Sequence, residues 1–180
     1  MTASPTPTPS RTAAPAPGAH GISSPLRAMR DGALRWMSAL PHSAVALLGR
    51  FSVAAVFWSS GQTKVEGLAI DIVGGHFEWG VPRLAPSAVA LFRDEYRLPL
   101  LPPESAALLA AVGEHVLPLL LLIGLGTRVA ALGLLVMTAV IQFLVYPGAY
   151  ATHGVWAAVL LWLISRGPGV IAIDHLIARR

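Results

Sequence analysis

No cysteine occurs among the 180 residues. That absence excludes disulfides, thiol catalysis, iron–sulfur ligation and cysteine-containing zinc sites within the chain. Charge is scarce as well: 12% of residues are charged and 54% hydrophobic, whereas soluble domains carry about 25% charged residues. With a mean hydropathy of +0.63, the chain has the composition of an integral membrane protein. The formal charge of +4 comes from arginines near the ends of apolar stretches. There they report orientation in the bilayer rather than nucleic-acid binding.

The stretch around which the chain is organised is Ser105 to Arg128. It is almost wholly apolar to Thr127 and long enough to cross a bilayer, which takes roughly 20 residues. Glu114 and His115 sit at its middle, and Pro118 follows four residues after the acid. A proline ring there clashes with the Glu114 carbonyl and removes the bond that carbonyl accepts. A carboxyl at the bilayer centre costs about 2.5–3.5 kcal/mol on insertion scales, so it must face protein or water. Ala107, Ala111 and Glu114 form an i, i+4, i+7 stripe whose small members let another helix approach closely. Two roles fit Glu114: a polar clamp within the bundle, or, with His115, a proton relay.

Residues 1–24 form a Pro/Thr/Ala/Ser tract (ASPTPTPS, AAPAPG) without apolar periodicity. Its composition is that of a disordered tail. Residues 25–41 mix Arg27, Arg30 and Arg35 with Leu26, Met29, Leu34, Trp36, Met37 and Leu40, which suits a short helix in the headgroup layer. Residues 42–180 make the membrane domain. Its first span runs from about Ser43 to Lys64, with Arg50, Phe57 and Lys64 recurring every seven residues on one face. Arg50 either snorkels to the headgroups or pairs inside the bundle. Residues 65–103 form one long connection, broken by Gly74, Gly75, Gly80 and Pro82, with a short amphipathic helix over Ser87–Arg97.

The turn around Gly124, Gly126, Thr127 and Arg128 is so short that the second and third spans must be an antiparallel pair. The third span, Val129–Tyr146, carries Thr138 and Gln142 on one face. The fourth starts near Tyr150, passes His153 and Trp156, and ends at Arg166 before Gly167-Pro168-Gly169. Asp174 is expected to be the N-cap of a last short helix. The fold class is therefore all-α: a polytopic membrane protein, a four-transmembrane-helix antiparallel bundle with short interfacial helices.

Four spans put both termini on one side. That side collects Arg11, Arg27, Arg30, Arg35, Arg128, Arg166, Arg179 and Arg180, against Lys64, Arg83, Arg93 and Arg97 on the other. The bias places the termini in the cytoplasm and residues 65–103 outside. With depth counted at about 1.5 Å per residue, Gln62, Lys64, Gln142 and His153 fall in the outer half and Arg50 in the inner half. These five are the candidate lining of a polar cavity that opens outward and closes near Glu114. No metal-ligand set is expected. His115 and His153, the two intramembrane candidates for haem ligation, differ by roughly 9 Å in depth and cannot share an iron.

The segments GRFSVAAVFWSSGQTKV, LFRDEYRLPLLPPE, AVGEHVLPLLLLIGLGTRVAALGLLVMT and HGVWAAVLLWLISRGPGVIAIDHL resemble the DoxX family of small four-helix bacterial membrane proteins. The resemblance covers about residues 43–178. It is carried most specifically by Arg50…Gly61…Lys64, by Glu114…Gly124…Thr127-Arg128, and by Gly167-Pro168-Gly169…Asp174. Ile173 departs from it, standing where the family often has a small polar residue. The resemblance implies a multi-pass protein of the bacterial inner membrane. Members are similar to the membrane subunit of a thiosulfate:quinone oxidoreductase, and others are associated with oxidative-stress or metal-stress proteins. Two functions follow as expectations. One is the subunit of a quinone-linked redox or stress-response system, not a self-contained enzyme, with Glu114, His115 and Lys64 around a quinone head group and no covalently bound cofactor. The other is a non-catalytic membrane scaffold or a small-solute or metal-stress component. The bilayer is the first partner, and a protein partner or a second copy is expected beside it.

Overall fold

The computed structural model describes residues 25–71 and 74–179. The tail predicted for residues 1–24 lies outside them. The chain divides into two units, residues 1–39 and 40–180. The first contains helix α1, Pro25–Ser38. Within it Arg30 pairs with Asp31 at 2.9 Å, and Ser38 Oγ donates to the Arg35 carbonyl at 3.0 Å.

The second unit holds the membrane domain. Four helices are long and apolar enough to span a bilayer: His42–Gln62, Pro103–Ile123, Thr127–Val145 and Pro147–Arg166. Their regular α-helical parts are α2 (His42–Gln62), α4 (Pro103–Ile123), α5 (Thr127–Val140) and α6 (Tyr150–Arg166). Helix α2 packs on α4 and α6, α4 on α5, and α5 on α6, so the four close a ring. The interior of the ring holds Ala46, Val53, Phe57, Leu121, Ala130, Ala131, Leu134, Leu160 and Leu163. Outward-facing Leu48, Phe51, Leu108, Val112, Val129, Leu132 and Leu161 are exposed, as an apolar solvent requires. The all-α membrane bundle expected from hydropathy is the observed core.

The connection between α2 and α4 is not the irregular link its glycines suggested. It folds as an antiparallel hairpin of β1 (Val65–Asp71) and β2 (His76–Leu84), with Val65 opposite Leu84, Asp71 opposite His76, and an irregularity between Glu66 and Leu68. Two side chains of α2 tie it down. Gln62 Oε1 accepts from the Ile70 N–H at 2.6 Å, and Trp58 Nε1 donates to the Ile70 carbonyl at 3.3 Å. Helix α3 (Pro86–Leu91) follows and widens into a π-helical turn, Phe92–Tyr96. Phe92 packs there on Ala106 and Ala107 of α4. A second π-helical turn, Ile141–Val145, ends α5, and the two π turns touch.

The relative height of α2 and α4 decides the rest. A Cβ on Gly61 would lie 3.0 Å from Glu114 Cβ and 2.9 Å from the His115 ring, and one on Gly124 would run into Arg50 Nη1. The last turn of α2 therefore stands level with Glu114, and Arg50 level with the turn between α4 and α5. From Glu114 to Pro103, α4 climbs about 16 Å further, alongside α3 and its π turn rather than α2.

Candidate functional site

Glu114 is buried on the stripe Ala107, Ala111, Glu114, Pro118, Leu121, the face α4 turns inward. Its partners come from the last turn of α2 and the residues just after it. Lys64 Nζ stands 2.6 Å from Glu114 Oε2, with both side chains about 5% exposed or less. Ser60 Oγ donates to Glu114 Oε1 at 3.2 Å. Lys64 also donates to Ser60 Oγ at 3.0 Å and to the Ser60 carbonyl at 3.2 Å. The ammonium thus has three acceptors for three protons. Lys64, placed in the outer half by residue count, is level with the acid because α2 ends there.

This triad forms part of the wall of a cavity of about 320 Å³. Ser60, Lys64 and Glu114 are on one wall, Phe92 and Tyr96 come from the first π turn, and Ile141 and Val145 come from the second. Phe57, Met137 and Trp156 add apolar surface. Leu109 and Val136 line it as well, and both sit in exposed positions on the lipid-facing side. The cavity therefore reaches the surface between α4 and α5. Tyr96 and Tyr146 meet edge to face at 5.7 Å, and the Tyr146 hydroxyl donates to Glu95. Burial pushes the Tyr96 hydroxyl up from its ordinary pKa, and the bond to Glu95 does the same for Tyr146.

Of the residues singled out in the sequence, Glu114, Lys64 and His153 line this cavity. The acceptor on Gln142 assigns the proton of His153: Gln142 Oε1 accepts from Nδ1 at 2.8 Å. Among the described residues nothing bonds Nε2, which is left as an acceptor. Gln142 in turn donates to the Pro147 carbonyl at 2.7 Å and acts behind the histidine. His115 and Gln62 face the hairpin instead. His115 Nδ1 donates to the Ala111 carbonyl at 2.7 Å, so its Nε2 accepts from Gln62 Nε2 at 2.9 Å, and Trp58 closes on the ring at 5.0 Å. Neither of the two is in the cavity wall: His115 follows Glu114 directly, and residues i and i+1 of a helix point to different faces, while the Gln62 amide is held by Ile70 and His115.

Arg50 is the other correction. It neither snorkels nor lines the cavity: it is 1% exposed and donates to the Ile171 carbonyl at 2.6 Å. Asp174 does not cap the last helix, α7 (Ile173–Ala178), whose N-cap is Ala172. Its carboxylate accepts from the backbone N–H groups of Gly126 at 2.7 Å and Thr127 at 2.8 Å, capping α5 from across the bundle. The Asp174 N–H donates to the Gly124 carbonyl at 2.9 Å. Burial pushes the Asp174 carboxyl up, but those amide donors and the Arg50 charge outweigh it and hold the group below its ordinary value. Ser60, Tyr96 and Tyr146 were absent from the sequence-derived site. A signal for Ser60 was there, since it precedes Lys64 by one helical turn.

The triad, part of the cavity wall, and the latch formed by Arg50 on Ile171 and Asp174 on Gly126 and Thr127 are built from the segments that carried the sequence resemblance. A family model described as DoxX matches residues 45–147, more than half of the chain. No curated protein and no solved structure gives a match. The chain is a multi-pass membrane protein and belongs to the DoxX family.

Proposed function

We propose that the cavity takes the ring of a quinone, and that the chain is the membrane subunit of a quinone-linked redox or stress-response system. The observation that carries this reading is an aromatic, apolar cavity that reaches the lipid-facing surface and has a buried carboxylate–ammonium pair in its wall. A quinone is a flat apolar ring with carbonyl oxygens, and it arrives from the bilayer. Lys64 Nζ supplies a donor for one of those oxygens by giving up one of its two bonds to Ser60, His153 and Tyr96 offer polar atoms elsewhere in the wall, and Trp156 and Phe92 stack on the ring. Reduction adds two electrons and two protons. The electrons come from a redox partner that this reading requires. The two protons pass through Glu114 in turn: the carboxylate takes each from the Lys64 ammonium, which regains it from the aqueous phase, and gives it to a ring oxygen. The Lys/Arg bias supports cytoplasmic termini in a bacterial inner membrane, with the hairpin and α3 outside.

Purification in a mild detergent, followed by quinone, metal and partner analysis of one sample, tests the reading. Stoichiometric quinone in the wild type and its loss in Lys64→Met/Glu114→Gln are expected. A protein that carries no quinone and does not take it up on titration contradicts it. A second reading rests on the satisfied state of Lys64: with every proton bonded, the triad is also a clamp that locks α2 to α4. Glu114→Gln separates the two, because the amide keeps the shape and a donor but cannot titrate. Full partner-dependent quinone turnover by that variant at normal abundance would leave only the clamp.

A further inference from the structure

At the opposite end of the domain a second cavity, about 550 Å³, lies between the start of α5, the end of α6 and the loop before α7. Arg128, Arg166, His42 and His175 line it, with Asp174 as its acid. Asp174 is already engaged, since both of its oxygens accept backbone N–H groups of α5. Arg128 and Arg166 are exposed, and among the described residues neither makes a hydrogen bond or ion pair. Arg30 and Arg93, by contrast, each hold a carboxylate. The His175 Nε2 is buried without a partner, a polar atom left over in the wall of a positively charged pocket. At the rim Val129 and Val170 line the same cavity and are 74% and 54% exposed.

We infer that this pocket binds the phosphate of an anionic phospholipid, with Arg128 and Arg166 as its ligands. Two unpaired guanidinium forks match phosphate oxygens, and basic pockets between spans at the membrane surface suit anionic headgroups. The apolar rim commits the site to a lipid rather than a free ion, because an acyl chain covers Val129 and Val170 and inorganic phosphate leaves them bare. The site shares no residue with the quinone cavity, so either reading stands or falls without the other.

Native mass spectrometry and thermal unfolding in neutral detergent test it with three probes: phosphatidylglycerol, phosphatidylcholine and inorganic phosphate. Phosphatidylglycerol should bind saturably and raise Tm, and phosphatidylcholine should not match it. Arg128→Gln/Arg166→Gln should bind phosphatidylglycerol roughly thirtyfold more weakly while its Tm without lipid stays that of the wild type. The charge-matched control Arg83→Gln/Arg179→Gln should bind as the wild type does. Equal binding by the wild type and the Arg128/Arg166 variant overturns the site. Saturable binding of inorganic phosphate at these arginines, with none of the lipid, overturns the lipid as its occupant.

Discussion

Lys64 and Glu114 are each dangerous alone. Breaking a buried pair by removing one partner costs about 3–5 kcal/mol, because an uncompensated charge stays behind. Lys64→Met should therefore lower stability in detergent by about that much. Lys64→Met/Glu114→Gln, which removes both charges, should recover most of it, and a double-mutant cycle on thermal or denaturant unfolding measures the coupling. Additive losses would show that the two do not act as a pair. Glu114 was legible in the sequence because an acid at the centre of an apolar span has few places to go. Lys64 was legible from its seven-residue spacing with Arg50 and Phe57. His115 was not: adjacency to Glu114 in sequence suggested a shared role, and helix geometry turned it to the hairpin, where Gln62 and Ala111 hold it.

At the scale of elements, the loop before α7 closes the end of the bundle at the α4–α5 turn through Gly124, Asp174 and Arg50. Gly124 has φ 73, and a Cβ there would meet Arg50 Nη1 and Ala172. Gly124→Ala should lower Tm, with a cost of about 1–3 kcal/mol for the strained backbone and more if Arg50 cannot move. An unchanged Tm would mean that the turn is not held as described. Asp174→Asn should weaken the cap on α5 by about 1 kcal/mol. The folded-state pKa of Asp174 lies below its unfolded value, so its contribution is present above the unfolded value and lost as pH falls through the folded one. The wild type should thus lose stability as pH drops below about 4, and Asp174→Asn should lack that part of the acid limb. Matching acid limbs would remove Asp174 from the latch.

The helices were legible because hydropathy and length identify a span without tertiary information. The hairpin was not, because Gly74, Gly75, Gly80 and Pro82 look like loop punctuation. What makes β1 and β2 a pair is their register and the bonds from Gln62 and Trp58 to Ile70, which no local pattern displays. The π turns were hidden for the same reason: one extra residue in a turn leaves no mark on composition.

For the whole molecule, reporter fusions after Arg180 should read cytoplasmic and fusions between residues 74 and 80 external, as the Lys/Arg bias of about two to one requires. The reverse pattern would invert the membrane but leave both cavities in place. Depth was the property the sequence conveyed least well. Counting residues from each helix end assumed that α2 and α4 start and stop together. Gly61 beside Glu114 and Arg50 beside Gly124 show α2 displaced toward the end of the bundle that holds the α4–α5 turn. That displacement brings a lysine from beyond the end of α2 onto an acid in the middle of α4.

The most direct measurement is quinone titration of a single-tryptophan protein that keeps Trp156, in the wall of the Glu114 cavity, with Trp36, Trp58, Trp79 and Trp162 replaced by Phe. A short-chain quinone should quench Trp156 saturably at one site. Adding Lys64→Met/Glu114→Gln should weaken that binding by about tenfold or more, the loss of one charge-assisted hydrogen bond. Quenching that rises linearly without saturation, or the same affinity with and without the pair, would contradict the account.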